Sequence, residues 1–325
     1  MRLGKVSDSV LKRSVLKQIK TTNKEIVCGA GLGVDCAIFS SVGDQNLATC
    51  VNTTAIFDKE DMEIAILKLV NNLSCVSAKP LGIMVSILLP EAAREIRIRE
   101  LMEEAQKACS RLGMQIMGGH TSVSNKVSST IVTLTGIGTS QNVPKNKKKL
   151  TDYDIIASKW IGLEGTALLA SQYEKELKGR YPAYIIDEAM AFRQQMSVIP
   201  EAAVAQTSGA ELLHDVSEGG IFASLWEIGE RLGVGLTIDL KKIPIRQETV
   251  EVCEFLGINP YELAGSGCLL MVAKDGAAVE EALQEAGIPA VIIGKTTDSN
   301  DRIIRNGEET RYMDKPAMDE IFKFR

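Results

Sequence analysis

Only two histidines, His120 and His214, occur in 325 residues. The seven cysteines, at positions 28, 36, 50, 75, 109, 253 and 268, include no CxxC pair and no cluster with histidine at zinc-site spacing, which removes the common zinc modules. An odd count argues against a closed disulfide framework, so these residues read as small buried apolar side chains. A basic surplus is missing too. With a formal net charge of −5, the chain offers no field for nucleic acid or an anionic membrane. The longest apolar runs, such as LGIMVSILL at 81–89, are too short to cross a bilayer, and the opening MRLGKVSDSVLKR has no apolar signal core. The expectation is a soluble cytoplasmic protein with neither nucleic-acid nor membrane partner.

What is present is an alternation of strand and helix patterns. SDSVLKRSVLKQIK repeats apolar residues at Val10, Leu11, Val15, Leu16 and Ile19, which predicts an amphipathic helix. CAIFSSV and LATCVN read as strands, Met62–Cys75 as a helix, LGIMVSILL as a buried strand and Glu95–Leu112 as a second helix. MQIM and SSTIVTLTGIG complete a first sheet. The polar, proline-bearing TSQNVPKNKKKL at 139–150 marks a boundary between domains at 1–142 and 150–325. Beyond it come strand YDIIASKW, helices from Glu164, around Asp187–Gln195, from Pro200 to Thr207 and from Glu218 to Leu232, then strand GCLLMVAK, a helix to Ala286 and strand AVIIGK. Mixed elements in both halves predict two α/β or α+β domains.

Several short motifs have the chemistry of a binding site. CGAGLGVDCAIF places three glycines before Asp35; such a loop either brings backbone N–H groups close to a phosphate or simply turns the chain, and the acid suits a hard cation. Asn71 and Asn72 lie within a helix pattern, where amides normally face solvent or a partner. MQIMGGHTSV runs a strand into a glycine pair, His120 and Thr121. In HDVSEGGIFASLWEI, Asp215 and Glu218 fit a capping box just ahead of Gly219 and Gly220, and a helix N-terminus reached through small residues suits an anion.

In this order, GVDCA, NNLSCVSAKP, GGHTSV, SKWIGLEGTALLA, HDVSEGGIFASLWEI and GSGCLL resemble the AIR synthase-related (PurM-like) superfamily, and within it the HypE-like hydrogenase-maturation branch. The resemblance implies an N-terminal α/β domain whose sheet pairs with that of a second subunit into a shared barrel, and a C-terminal α+β domain beside it. It also implies an ATP site in a groove of that homodimer, magnesium held by acids, and activation of an amide or similar oxygen for replacement. By resemblance, Asp35 is the acid of the family's Gly-x-Asp-x-Ala motif and the metal ligand. Two further acids of the superfamily are amides here. Asn72 stands where Asn-Asp is usual, and Asn52 takes a strand-end Asp when the count back from Asn72 is gap-free, with Ala55 the alternative if TTA is aligned. Gly118, Gly119, His120 and Thr121 match the Gly-Gly-Asp-Thr motif in its histidine form. His214, Asp215, Ser217, Glu218, Gly219 and Gly220 match the second-domain motif and are expected to face the groove.

The resemblance thus implies Gly118 and Gly119 as backbone donors, Thr121, Ser217, Glu218, Gly219 and Gly220 as further nucleotide contacts, and His120, His214 and Asp215 as catalytic groups. An amide keeps one carbonyl oxygen but loses the charge that magnesium prefers, so two functions stand side by side: ATP-dependent ligase-like or kinase-like chemistry, or a nucleotide sensor or maturation scaffold. The sequence ends in DEIFKFR, without the C-terminal cysteine that carries the HypE-branch carboxamide, and that reaction is therefore not expected.

Overall fold

The computed structural model describes residues 7–19, 24–40, 46–59, 61–140 and 149–324. Most of the expected linker, at 141–148, lies outside the described residues. The chain forms two compact units: Thr21–Gly29 with Asp35–Pro144, and Met1–Lys20 with Ala30–Val34 and Lys145–Arg325.

The N-terminal helix pattern is realised irregularly. A short α1 (Asp8–Val10) passes into wider and then tighter helical turns through Gln18, and none of its residues is buried. In the smaller unit, β1 (Ile26–Cys28), β2 (Ala37–Ser40), β3 (Asn46–Ile56), β4 (Lys79–Pro90), β5 (Gln115–Ser124) and β6 (Thr130–Ser140) form one sheet in the order β1-β2-β3-β6-β4-β5. All pairs are antiparallel except β4–β5. A parallel pair needs a crossover, and α3 (Glu95–Arg111) supplies it, while α2 (Asp61–Cys75) links β3 to β4.

Register decides which side chains share a face, because partners across strands point the same way. One face carries the rows Asn52–Leu134–Val85–Gly119 and Thr54–Val132–Ile87–Thr121. Its Leu134, Val85, Val132 and Ile87 are buried, and α2 and α3 pack on this side. The opposite face carries Thr53–Thr133–Ser86–His120 and Val51–Thr135–Met84–Gly118. Here Val51 is 63% and Met84 45% exposed.

The expected strand-then-loop at MQIMGGHTSV is corrected: β5 runs unbroken through Gly118, Gly119, His120 and Thr121. The two glycines have different reasons to be there. A Cβ on Gly119 would fall 1.8 Å from the Val85 carbonyl oxygen, whereas one on Gly118 would meet nothing closer than 3.8 Å. Of the two settings expected for the helix amides, solvent or a partner, the solvated one is excluded for Asn71, which is fully buried.

In the larger unit, β7 (Asp154–Ser158), β8 (Ala210–Asp215), β9 (Gly235–Asp239), β10 (Leu269–Ala273), β11 (Ala290–Thr297), β12 (Arg302–Asn306) and β13 (Glu309–Tyr312) form a second sheet ordered β13-β12-β9-β11-β7-β10-β8. The helices are α4 (Leu163–Gln172), α5 (Glu174–Lys178), α6 (Ala183–Ala191), α7 (Ile199–Thr207), α8 (Gly220–Leu232), α9 (Gln247–Leu256) and α10 (Gly276–Glu285). Leu225 and Ile228 of α8 join Ile155, Leu236, Leu270 and Ile293 of the sheet in one core cluster. Among the described residues, no helix is long and apolar enough to cross a membrane.

Two substitutions separate the glycine roles. Gly119→Ala should destabilise the protein by about 1–3 kcal/mol through forced separation of β4 and β5, read as a lower urea midpoint. Gly118→Ala, which meets no close atom, should cost only about 1 kcal/mol, from the backbone strain at φ +159°.

Candidate functional site

In the smaller unit, the sequence-matched residues fall into two groups. Asp35 immediately precedes Cys36, whose Sγ donates to the backbone carbonyl of Asn72 at 3.2 Å. Asn52 lies on the helix-covered face of β3 and is half-buried, as are Asp35 and Asn72. Asn52 is thus on the α2 side of the sheet, Asn72 is on α2 itself, and Asp35 adjoins a cysteine bonded to that helix. Ala55, the alternative to Asn52, faces the other way, opposite Ile131.

Gly118, Gly119, His120 and Thr121 lie three strand spacings away on β5, about 14 Å at ~4.8 Å per spacing. His120 also points from the opposite face to Asn52. A single cluster containing His120 and Asn52 side chains is therefore not formed within one unit. β5 is the sheet edge, so one side of its backbone has no partner strand within this sheet.

The other unit contains the segment Ala30–Val34 and the second motif. Gly33 has φ +62°, and a Cβ there would meet the Glu227 carbonyl oxygen at 2.6 Å. Arg231 of α8 donates to the Gly33 carbonyl at 3.0 Å. The glycine-rich turn is thus fastened to α8 by close backbone approach and one guanidinium.

His214 and Asp215 end β8, and both are 3% exposed. His214 Nε2 is 2.9 Å from Glu227 Oε2 of α8. The expectation that His214 faces an open groove is corrected: within its unit it is a buried strand-to-helix link. Glu227 was missed because only the helical spacing, once α8 is known to pack on β8, brings it there.

The helix starts beyond the position that a capping box at Asp215 and Glu218 would give it. Helix α8 starts at Gly220 with Gly219 as its cap in the left-handed region at φ +84°, and no side chain at that cap accepts from the first turn. The anion at this N-terminus comes from the far end of the chain. Asp319 accepts from Gly219 N at 2.6 Å, Ile321 N at 2.9 Å and Ala264 N at 3.2 Å. Burial pushes the Asp319 carboxyl up to about 6; the backbone donors oppose this rise and the charge of Glu164 adds to it. Gly220 is needed for the same close packing, since its Cβ would fall 2.6 Å from the Tyr261 carbonyl oxygen. Ser217 accepts from Gly265 N through its carbonyl at 3.2 Å, and Ser217 and Glu218 are half-buried in the turn.

The cavity beside Gly219, lined also by Phe222, Asn259, Glu262, Arg311 and Lys315, has a volume of about 140 Å³. This is below the ~300 Å³ where small-molecule sites begin. The N-terminus of α4 is likewise engaged internally, with Gly165 N donating to the Ala264 carbonyl and buried Glu164 accepting from Ser266 Oγ at 2.7 Å.

Comparison with known proteins gives a consistent set of likenesses. Residues 33–140 match the model of the AIR synthase related protein, N-terminal domain, and residues 154–305 match that of the C-terminal domain. A putative hydrogenase expression/formation protein of Methanocaldococcus jannaschii is 26% identical over 98% of this chain and 96% of its own length. The carbamoyl dehydratase HypE of Rhodobacter capsulatus is 26% identical over 72% of this chain and 68% of its own. Among solved structures, a HypE–HypF complex matches with TM-score 0.73 and 21% identity over 94% of this chain and 99% of the matched one. A HypE in complex with ATP matches with TM-score 0.68 and 17% identity over 98% of this chain and 97% of its own.

The two buried links have measurable consequences. Glu227→Ala should cost about 1–3 kcal/mol by leaving His214 without this partner in a buried setting, and Glu227→Gln should cost less; denaturant melts give both values. For Asp319, the folded state holds the proton more tightly than the unfolded chain, whose carboxyl titrates at the ordinary 3.8. This carboxyl therefore favours folding below about pH 4, and the advantage is lost as pH rises to about 6. The stability of the parent relative to Asp319→Asn should fall by up to ~3 kcal/mol over that window, measured by urea melts at pH 4 and pH 7.

Proposed function

The chain belongs to the AIR synthase-related family, and we propose from this premise that it is a HypE-like protein that binds ATP as a homodimer. The extent of the shared fold carries the reading, because a HypE in complex with ATP matches 98% of this chain. The glycine turn ahead of Asp35 has the backbone close approach that phosphate N–H contacts require. Asn52 on the sheet, Asn72 on α2 and Asp35 ahead of β2 supply polar groups, and Gly118, Gly119, His120 and Thr121 a strand that ends the same sheet. Ser217, Glu218, Gly219 and Gly220 supply the corresponding turn of the larger unit.

The exposed face with Val51 and Met84, continuous with the one-sided edge β5, supports the homodimer. A second copy laid over it would bury apolar side chains and engage the unpaired strand edge.

Magnesium does not fit this residue set. It favours several oxygen ligands with carboxylate charge, while Asn52 and Asn72 are amides. Among the described residues, no group of three or more His, Cys, Asp or Glu side chains is placed to hold a metal ion. ATP would therefore be held by backbone N–H groups and side-chain amides, and the function is nucleotide sensing or scaffolding in maturation rather than fast phosphoryl transfer. The second reading, ATP-dependent activation of an amide oxygen, draws on the carbamoyl dehydratase relative and on Asp35 being in place.

Calorimetric titration with ATP, with and without magnesium, beside a phosphate-release assay, tests the two. Binding that changes by less than about threefold with magnesium, without phosphate release, fits the first reading at under ~1 kcal/mol of metal coupling. Magnesium-dependent release selects the second, and no binding at millimolar ATP overturns both. Asn52→Asp combined with Asn72→Asp should make binding at least about tenfold tighter with magnesium than without. Met84→Glu should shift the sedimentation profile from dimer to monomer.

A further inference from the structure

Two cysteines on the α2 side of the smaller unit sit opposite one another. In the antiparallel pair β2–β3, Ala37 faces Thr49 and Ile38 faces Ala48; one step further along that register sets Cys36 against Cys50. Directly opposed residues in an antiparallel pair have Cα atoms about 4.5 or 5.5 Å apart, inside the ~4.4–6.8 Å range that a disulfide spans. The sulfurs converge on the same helix turn as well. Cys36 Sγ donates to the Asn72 carbonyl at 3.2 Å and Cys50 Sγ to the Leu69 carbonyl at 3.5 Å, and carbonyls three residues apart on a helix are neighbours.

We propose that Cys36 and Cys50 form a redox-sensitive dithiol that a hydroperoxide closes to an intrachain disulfide, and that closure weakens nucleotide binding. The second clause rests on the ATP-binding reading above; the first does not. Cys36 is 2% and Cys50 8% exposed, so the oxidant must be small. Cys50 is the more exposed of the two and reacts first. Its sulfur attacks one peroxide oxygen, the O–O bond breaks, and a sulfenic acid forms as water leaves. The Cys36 sulfur then attacks the sulfenic sulfur, an S–S bond replaces the S–O bond, and a second water departs. Two thiols give up two electrons and two protons, and hydrogen peroxide takes them.

Closure also removes the two S–H donations to α2. Cys36 adjoins Asp35 and is bonded to the Asn72 backbone, so the disulfide alters the footing of both residues. Cys75, at the end of the same helix and electrostatically felt by Cys36, is the competing partner.

The test is a cross-link map of the full chain treated with hydrogen peroxide, alkylated and digested for mass spectrometry. A Cys36–Cys50 linked peptide that dithiothreitol reverses is the expected result, lost in Cys36→Ser and in Cys50→Ser. A link through Cys75 or Cys28 instead, or oxidation of Cys28 with Cys36 and Cys50 left reduced, overturns the dithiol; the unsubstituted chain alone decides this, whatever the variants' folding. ATP titration of the oxidised protein should show at least about tenfold weaker binding, ~1.4 kcal/mol, restored by reductant. Linked protein with unchanged affinity overturns the coupling. Failure of the reduced protein to bind ATP sinks the ATP-binding reading and the coupling with it, while leaving the linked peptide to stand on the map.

Discussion

The two-residue period of the β3-β6-β4-β5 ladder is the constraint on which the smaller unit depends. Because partners across strands share a face, the pairing of Asn52 with Leu134 and of His120 with Ser86 assigns every polar candidate to one side or the other. The helix-covered side gathers Asn52, the neighbourhood of Asp35 and Asn72, and the opposed cysteines. The other side gathers His120, Ser86, Thr133 and Thr53, the last two hydroxyls 3.0 Å apart. A one-residue slip would exchange these sets and expose Val85, Ile87 and Leu134, so the buried side enforces the chemistry of the open one. The approach of Gly119 to Val85 locks the same register at the sheet edge.

The larger unit solves a different problem, the disposal of buried polar groups. Lys159 lies between strand and helix and is paired with Glu201 at 2.6 Å while donating to the carbonyls of Gln195 and Ser197. His214 meets Glu227, and Asp319 takes three backbone N–H groups. Each is a charge-assisted link between segments distant in sequence, and such links are stabilising only when their partners are complete. The start of α8 therefore already holds a carboxylate.

The sequence by itself determined the strand and helix order, the family and the short motifs, because hydrophobic period, glycine and cap-type residues act over a few positions. It placed α2, α3 and the central strands to within a few residues, and it singled out Asp35 and the glycine pair. The GGHT stretch departs from its reading because local pattern carries no information on whether a glycine lies in a turn or in a strand pressed against its neighbour, and the N-terminal segment departs because its apolar side chains, none of them buried, gain no packing to regularise a helix. Only the tertiary structure decided that His214 belongs to Glu227, that α8 is capped by Asp319 from a hundred residues away, that Asn71 is buried, and that Cys36 stands across from Cys50. Those outcomes arise from register and long-range packing, where desolvation makes a polar group take whichever partner the fold delivers.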